Sequence, residues 1–396
     1  MSERSTTMVP PEFDLNAMRR GRLARLRATM VADGLDLVVL SNPLSIRYAT
    51  DYRGYAAFQA HIPTTYALIA VDGPVVVHGA YADDLGLIDI ALPANSATAF
   101  DAGMDLSNAA DRQVADVLRF RDELGLGIAT SIGIERATPS LHRAYTDEGI
   151  TLIDAEPTIE LARSRKSELE MVALCYSIDV AEYGMRQMEE ALEPGITENQ
   201  LWAILHATNI AHNGDWIDGR MLASGPRSNP WYQEASSRVI ESGDVVPFDS
   251  DMIGPFGYCA DISRTFLCGD QAPTGEQLDL YKRSLDEIWH NTELLRVGAS
   301  FEELSHSVLR QPEEINVNRY ACAFHGVGLS DEYPKIPYTD DWDRLGYDGE
   351  IEDGLVLSVE SYVGPLGGSV GIKLEQMVQV TSAGIVGLST YPFWDL

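Results

Sequence analysis

The chain of 396 residues is longer than a single hydrophobic core usually supports, which favours two domains. Its 60 acidic and 29 basic residues give a net charge of -31, which argues against nucleic acid or an anionic membrane surface as a partner. Hydrophobic residues make up 45% of the chain, yet no apolar run approaches the roughly 20 residues of a membrane span. The first dozen residues lack the apolar segment of a secretion signal, so we expect a soluble, cytoplasmic protein.

The first part of the chain alternates helical and strand patterns. Residues 14–33 predict an amphipathic helix with Asp14 as its N-cap, and the segment LDLVVLSN at residues 35–42 predicts a buried strand. Asp72-Gly73 lies between two β-rich runs, which is typical of a hairpin. This alternation predicts an N-terminal α/β domain over residues 1–160.

The composition changes near residue 160, where a proline and a basic cluster precede a long helical pattern. Ser167 with Glu170 and Thr197 with Gln200 are capping-box pairs, whose side-chain and backbone groups bond reciprocally at the start of a helix. Further along the chain, β-rich runs alternate with helices. We therefore expect a second domain, of α/β or α+β structure, over residues 161–396.

Two stretches of the second domain repeat one pattern. Residues 244–266 and 355–380 both predict a strand, a turn containing Gly-Pro and a second strand, with acids inside the strand-like parts. Such acids can simply lie on a solvent-facing edge. Because a buried carboxylate is rare unless it is paired or bound to a metal, two matching hairpins predict ligands that meet at one centre.

The candidate metal ligands are five carboxylates and one imidazole: Asp249, Asp251, Asp261, His325, Glu360 and Glu375. Iron, manganese, cobalt and zinc suit this donor set, whereas soft copper does not, and several carboxylates able to bridge favour two ions. Asp249 and Asp251 are two positions apart, so we expect both on one face of a strand.

Several segments of the second domain resemble, in order, the creatinase, prolidase and aminopeptidase P superfamily. They are GYCADISRTF at residues 257–266, HGVGL at residues 325–329, and the two late glutamates, Glu360 and Glu375. The KSELEMV and PGITENQL segments also resemble the entry into that superfamily's catalytic domain. The resemblance implies a creatinase-like N-terminal α/β domain followed by a pita-bread catalytic domain that binds metal.

Two histidines of the superfamily's peptidases have no counterpart in this chain. The segment that should carry a substrate-binding histidine ends in Trp231 and Tyr232. A second histidine should follow His325 by about seven residues, where this chain has Asp331 and Glu332. The ligand set alone would support an Xaa-Pro metallopeptidase, but peptide hydrolysis has lost two of its usual groups. A scaffold without metal, acting as a binding module, is a third alternative.

A further departure is that Ser250 stands eleven positions before Asp261, where the peptidases have an aspartate, and is flanked by Asp249 and Asp251. This pair of aspartates, and the acid six positions past the histidine, closely resemble a family of dimethylsulfoniopropionate lyases in the same superfamily. The resemblance implies cleavage of that zwitterion to dimethyl sulfide and acrylate by an iron-containing homodimer.

The same resemblance implies roles for individual side chains. Asp331 is the candidate base that removes a proton beside the substrate carboxylate, and as a base we expect it to be buried; the alternative is an ordinary turn residue. Arg264 is expected to orient an aspartate ligand. Aromatic faces receive onium cations, so four side chains are candidates for the sulfonium, although core packing is their ordinary role. They are Tyr320, Trp231, Tyr232 and Trp342.

Overall fold

The computed structural model describes residues 8–81 and 86–396 of the chain. These residues form two compact units, one of Asp14–Arg163 and one of residues 8–13 together with Ser164–Leu396. The chain thus divides between residues 163 and 164, compared with the boundary near residue 160 that the composition predicts. Among the described residues, no helix has both the length and the apolar character needed to cross a membrane.

The first unit is an α/β domain built on one six-stranded mixed sheet. Its strands are β1 (Leu37–Leu40), β2 (Tyr66–Ala70), β3 (Val75–His78), β4 (Ile90–Leu92), β5 (Ile132–Ile134) and β6 (Ile153–Asp154). Its helices are α1 (Leu15–Ala32), α2 (Pro43–Thr50), α3 (Ala56–His61), α4 (Ala99–Ala102), α5 (Leu106–Glu123), α6 (Pro139–Asp147) and α7 (Glu156–Ser164). The strand order is β4–β3–β2–β1–β5–β6, in which the β1–β2 and β2–β3 pairs are antiparallel and the others parallel.

Local sequence explains where these elements begin and turn. The side chain of Asp14 accepts a hydrogen bond from the backbone N–H of Ala17 at 2.8 Å, which caps α1 as predicted. Gly73 adopts a φ of 110° in the turn between β2 and β3, a conformation that glycine reaches without steric cost. The predicted helix, buried strand and hairpin of this unit are therefore confirmed.

The turn that follows α2 is fixed by a cluster of charged side chains. Asp51 caps the C-terminal end of α2 with a left-handed φ of 62°. Its carboxylate accepts hydrogen bonds from Nε of Arg19 at 2.7 Å and from Nη2 of the buried Arg22 at 2.8 Å. Because two guanidinium groups hold one carboxylate, the segment that leaves α2 is anchored to α1.

The second unit contains longer helices and three antiparallel sheets. Its helices are α8 (Glu168–Ala191), α9 (Glu198–Ala211), α10 (Gly275–Leu294), α11 (Phe301–Ser307), α12 (Glu313–Asn316) and α13 (Trp342–Leu345). Its first strands are β7 (Trp216–Ile217), β8 (Val245–Asp249), β9 (Met252–Ile253), β10 (Cys259–Ala260) and β11 (Ser263–Leu267). The remaining strands are β12 (Phe324–Val327), β13 (Asp331–Ile336), β14 (Val356–Val363), β15 (Ile372–Thr381) and β16 (Gly384–Gly387).

Helices α8 and α9 begin at the two predicted capping boxes. In each, the side chain of the first residue bonds the backbone three positions on, and the side chain of the fourth residue bonds back. The two helices approach closely at Gly184, where an added Cβ would lie 2.7 Å from a methyl carbon of Leu205. A larger residue at position 184 would therefore force the helices apart.

The five-stranded sheet has the order β13–β12–β14–β15–β16 and separates an apolar core from a polar layer. Helix α10 packs against β14 and β15. On β14, Leu357 and Val359 join this core, and on β15, Leu374 and Val378 do so. Because successive strand residues point to opposite faces, the intervening polar side chains face away from α10.

The two stretches that share one sequence pattern fold differently. Residues 355–380 form the predicted hairpin of β14 and β15. Residues 244–266 form a nested arrangement, in which β8 pairs with β11, while β9 pairs with β10 in a separate sheet. The chain between β8 and β11 therefore leaves their ladder and returns to it.

A buried ion pair anchors the start of β13. The side chains of Lys166 and Glu332 are both almost completely buried, and Nζ of Lys166 lies 2.8 Å from Oε2 of Glu332. The other carboxylate oxygen of Glu332 accepts a hydrogen bond from the backbone N–H of Leu329 at 2.8 Å. These contacts tie the loop between β12 and β13 to the chain just before α8.

Candidate metal centre

The polar face of the β14–β15 hairpin carries two glutamates directly opposite each other. Glu360 and Glu375 are cross-strand partners, and both side chains are buried. Like charges at opposed positions of a sheet repel, and burial strengthens the repulsion because water no longer screens it. A stable arrangement of these two side chains therefore requires protons or cations close by.

His325 and Asp261 complete the first group of ligand atoms. His325 lies on β12, the strand next to β14, and its Nε2 is 3.2 Å from Oε1 of Glu360 and 3.8 Å from Oε1 of Glu375. The same nitrogen is 3.4 Å from Oδ2 of Asp261. One ligand atom from each of these four buried residues lies within 4.8 Å of the others, so they can surround a metal ion.

Asp249, Asp251 and Asp261 form a second group, also within 4.8 Å of one another. The expectation that Asp249 and Asp251 share one face of a strand is wrong. Asp249 is the last residue of β8, and Asp251 lies beyond it with a left-handed φ of 36°. The reason is Ser250, which donates its hydroxyl to the carbonyl of Ala260 at 2.7 Å and accepts the N–H of Ile262 at 2.9 Å. These bonds turn the chain out of the β8–β11 ladder.

The two groups share Asp261, and buried carboxylate oxygens remain without hydrogen bonds. Oδ1 of Asp249, Oδ1 of Asp261 and Oε1 of Glu375 are buried and have no hydrogen-bond partner in the described part of the chain. A buried oxygen of this kind is costly unless a cation satisfies it. The donor set of carboxylates and one imidazole is that of a hard or borderline divalent metal, so these residues fit a metal centre.

Proximity and burial make these carboxyl groups difficult to ionise. Burial and the neighbouring Glu375 raise the pKa of Asp249 to about 6. Burial and nearby carboxylates also raise the pKa values of Asp251 and Asp261 well above the usual range for aspartate. Bound cations would reverse this preference, because they stabilise the ionised form.

Lys373 lies at the centre of the acidic residues and was not predicted from the sequence. Its buried Nζ is 2.5 Å from Oε2 of Glu360, 3.2 Å from Oδ2 of Asp249 and 3.5 Å from Oε2 of Glu375. Burial lowers the pKa of Lys373, but these carboxylates outweigh burial and raise it well above the usual value, so the amine stays charged. The available signal was its position two residues before Glu375, which puts both side chains on one strand face.

Asp331 lies beside the cluster, next to His325. Its Oδ1 is 3.8 Å from Nδ1 of His325, and its side chain is 65% exposed, so the expectation that it is buried is wrong. It begins β13 directly after the short loop that joins β12 to β13, and its cross-strand partner is Val327. Burial lowers the pKa of His325, but Asp331 and Glu360 outweigh it and raise the pKa well above the usual range.

Three of the four predicted substrate aromatics lie together near Lys373. The ring of Tyr320 stacks on that of Tyr232 with centroids 5.4 Å apart, and Nζ of Lys373 lies 4.5 Å from the Tyr320 centroid. Trp231 is buried, with Nζ of Lys373 6.0 Å from its ring and its own indole N–H unbonded among the described residues. Trp342 instead packs near His306, with ring centroids 5.9 Å apart, and lies against the apolar core of the second unit.

Arg264 does not contact an aspartate ligand, contrary to expectation. Its guanidinium donates hydrogen bonds to the backbone carbonyls of Ser263, Glu375 and Tyr391 at 2.6–3.1 Å, and to the side chain of Gln376 at 3.1 Å. Because a guanidinium offers five donors, Arg264 ties β11 to β15 through their backbones. It therefore holds the strand that carries Glu375 in place.

This fold and this site define a class of metalloenzyme. Residues 22–165 match the Creatinase/Prolidase N-terminal domain, and residues 174–382 match Metallopeptidase family M24. A solved Xaa-Pro dipeptidase from Bacillus anthracis has the same fold, with a TM-score of 0.75, 22% identity, and coverage of 95% of this chain and 99% of that one.

Within this class, two relatives are more similar in sequence. The chain is 35% identical to dimethylsulfoniopropionate lyase DddP of Roseovarius nubinhibens and 34% identical to DddP of Roseobacter denitrificans. Each comparison covers 96% of this chain and 87% of the relative. The chain therefore belongs to the DddP family, within Metallopeptidase family M24.

The raised pKa of Asp249 predicts how the stability of the metal-free protein depends on pH. A carboxyl with a higher pKa in the folded chain contributes stability below its unfolded value, about 3.9, and loses it as pH rises through the folded value, about 6. Between about pH 5 and about pH 7, we expect the Tm of chelated wild type to fall further than that of Asp249→Asn, by roughly 3 °C. Calorimetry measures both, and equal slopes would contradict the assigned ionisation.

Proposed function

We propose that this chain is a dimethylsulfoniopropionate lyase, which cleaves its substrate to dimethyl sulfide and acrylate by proton abstraction and β-elimination. The observation that carries the proposal is Asp331, an accessible carboxylate 3.8 Å from the cluster histidine His325. The identity of about 35% to two DddP lyases over nearly the whole chain supports it. The substrate is a small zwitterion, and neither nucleic acid nor a membrane takes part.

The proposal includes two metal ions, held by the six candidate ligands. The first group would hold one ion and the second group the other, and Asp261 belongs to both groups. When ionised, the five carboxylates carry five negative charges and Lys373 contributes one positive charge, so two divalent ions would neutralise the remainder. We propose iron, which this donor set accommodates as it does zinc, manganese or cobalt. Bound metal would act as a Lewis acid toward the substrate carboxylate.

Asp331 is the proposed general base. Its carboxylate would take the proton from the carbon beside the substrate carboxylate and become a carboxylic acid. The electron pair of the broken C–H bond would form the double bond of acrylate, and the C–S bond would break with its electrons on sulfur, releasing dimethyl sulfide. The exposed position of Asp331 lets it exchange its proton with water after each turnover.

The sulfonium is best received by Tyr232. The ring of Tyr320 already lies 4.5 Å from the ammonium of Lys373, and a second cation on that ring would be repelled. Tyr232 is 57% exposed and stacks on Tyr320, so its ring can accept a cation at the surface of the site. The free indole N–H of buried Trp231 is a donor available to the substrate carboxylate. The proposal also includes a cytoplasmic location and, from the family resemblance, a homodimer.

The alternative function is an Xaa-Pro metallopeptidase, because the same ligand set serves that class. One observation disfavours it: Asp331 and Glu332 stand where those enzymes have a histidine. Glu332 cannot replace that group, since its carboxylate is buried and paired with Lys166.

The overlap at Asp261 makes the two-ion arrangement testable. Asp251 belongs only to the second group, whereas Asp261 belongs to both. We expect Asp251→Ala to retain about one ion per chain and Asp261→Ala to retain almost none, because Asp261 contributes a ligand atom to both groups. Elemental analysis after metal loading and desalting gives the counts. Equal losses in the two variants, or a full complement in Asp261→Ala, would contradict the shared ligand.

The proposed activity is tested by offering both substrate classes to metal-loaded protein. We expect dimethyl sulfide and acrylate in equal amounts from dimethylsulfoniopropionate, at about 1 per second or faster, and no cleavage of Ala-Pro. Headspace gas chromatography and amino-acid analysis provide the two readouts. Cleavage of Ala-Pro at that rate, without dimethyl sulfide, would replace the proposal with the peptidase alternative.

The role of Asp331 is tested by Asp331→Asn, which preserves shape and removes basicity. Turnover should fall by roughly 100- to 10,000-fold, the usual contribution of general acid–base catalysis. Metal content should stay at the wild-type level, and KM should change far less than kcat. The exposed Asp348→Asn serves as a control and should behave as wild type. Loss of metal would make Asp331 a ligand, and retained turnover would remove it from the reaction.

A further inference from the structure

The first unit contains a cavity that is lined mainly by aromatic side chains. It has a volume of about 530 Å³ and lies among residues of α3, α4 and the loops before and after the β2–β3 hairpin. Five aromatic rings and one carboxylate dominate its lining: Tyr52, Tyr55, Phe58, Tyr81, Phe100 and Asp101. No arginine, lysine or histidine is among the described residues that line it.

Several of these rings are open to solvent, although aromatic side chains are usually at least partly covered. Tyr55 is 80% exposed, Tyr81 is 73% exposed and Phe100 is 69% exposed. Contiguous exposed apolar surface on a folded protein marks a place where something binds. Here the surface is concave and carries an acid, which distinguishes it from a flat apolar patch.

The wall is held in position by polar contacts behind it. Asp51, anchored by Arg19 and Arg22, fixes the chain that leads to Tyr52 and Tyr55. The hydroxyl of buried Tyr52 accepts the backbone N–H of Tyr81 at 3.0 Å, which links two sides of the cavity.

Two further features indicate that the aromatic rings of the cavity are preorganised. Tyr55 itself has a left-handed φ of 45°, a conformation that costs energy in a residue with a side chain. The rings of Phe58 and Phe100 meet edge to face, with centroids 5.8 Å apart. The rings are therefore arranged before any ligand arrives.

The chemistry of this wall selects one type of ligand. An onium group carries a positive charge spread over methyl groups and has no N–H or O–H at the charged centre. Hydrogen-bond acceptors in a pocket therefore contribute little to its binding. Aromatic faces attract it through their negative π surface and also cover its methyl groups. A nearby carboxylate adds long-range attraction without requiring a direct bond. We propose that this cavity binds a small organic onium cation, either a sulfonium or a quaternary ammonium compound.

Binding is tested by NMR observation of ligand methyl protons, with the full chain treated with a chelator to remove metal. Because the metal-free protein is not expected to turn over substrate, the result is independent of the proposed function. Choline probes the ammonium class, and 3,3-dimethylbutan-1-ol is its uncharged isostere. Dimethylsulfoniopropionate probes the sulfonium class, and 4-methylpentanoate is the isostere without the sulfonium charge. We expect at least one cation of the two pairs to bind, and its isostere to bind far more weakly.

Variants assign the binding to this cavity rather than to the acidic cluster. Tyr55→Ala and Phe100→Leu should each weaken binding of the cation roughly 3- to 10-fold, whereas Tyr55→Phe, which keeps the ring, should not. Asp101→Asn should weaken binding and reduce its salt dependence. Ile128→Ala, an exposed apolar site of the same unit outside the cavity lining, is the matched control.

Three results would overturn the proposal. If the isosteres bind as well as the cations, the onium charge contributes nothing to binding and the cavity is only an apolar groove. Cation binding unchanged in Tyr55→Ala and Phe100→Leu would place the cation elsewhere. Wild-type protein that sediments as a dimer and binds neither cation, with Phe100→Leu a monomer, would show that a second copy covers these rings.

Discussion

The structure of the second unit depends on how a dense group of negative charges is kept in its interior. Glu360 and Glu375 face each other across two strands, and Asp249 and Asp261 reach the same space. Burial of unpaired carboxylates would cost more free energy than a typical domain has to spare. The ammonium of Lys373 offsets part of this cost, and the unbonded oxygens indicate that further positive charge belongs there.

This concentration of charge is possible because one hairpin separates two environments. The alternation along β14 and β15 sends Leu357, Val359 and Leu374 into the core with α10, and the acids to the other side. Arg264 holds β11 to β15 through backbone carbonyls, so the strand carrying Glu375 cannot shift without breaking several charge-assisted bonds. The apolar layer thus provides the stability that the polar layer lacks.

Local patterns in the sequence predicted the helix starts, because capping boxes and N-caps act within three or four residues. They predicted the β14–β15 hairpin equally well, since a period of two is a local signal. The position of Asp251 was mispredicted because Ser250 bonds to Ala260 and Ile262, which are distant in sequence, and nothing near Ser250 signals that turn. The sequence puts Lys373 on the same strand face as Glu375, but its contacts with Glu360 and Asp249 depend on which strands become neighbours. The role predicted for Arg264 was wrong for the same reason, because its guanidinium bonds to the neighbouring strand β15.

Asp331 and its neighbour Glu332 are adjacent in sequence but differ in their surroundings, and this difference has an evolutionary consequence. Glu332 is locked to Lys166 in the interior, so most substitutions there would destabilise the fold. Asp331 projects into solvent beside His325, so substitutions there have little effect on folding. A lineage can therefore exchange the group next to the histidine while the strand beneath it stays the same.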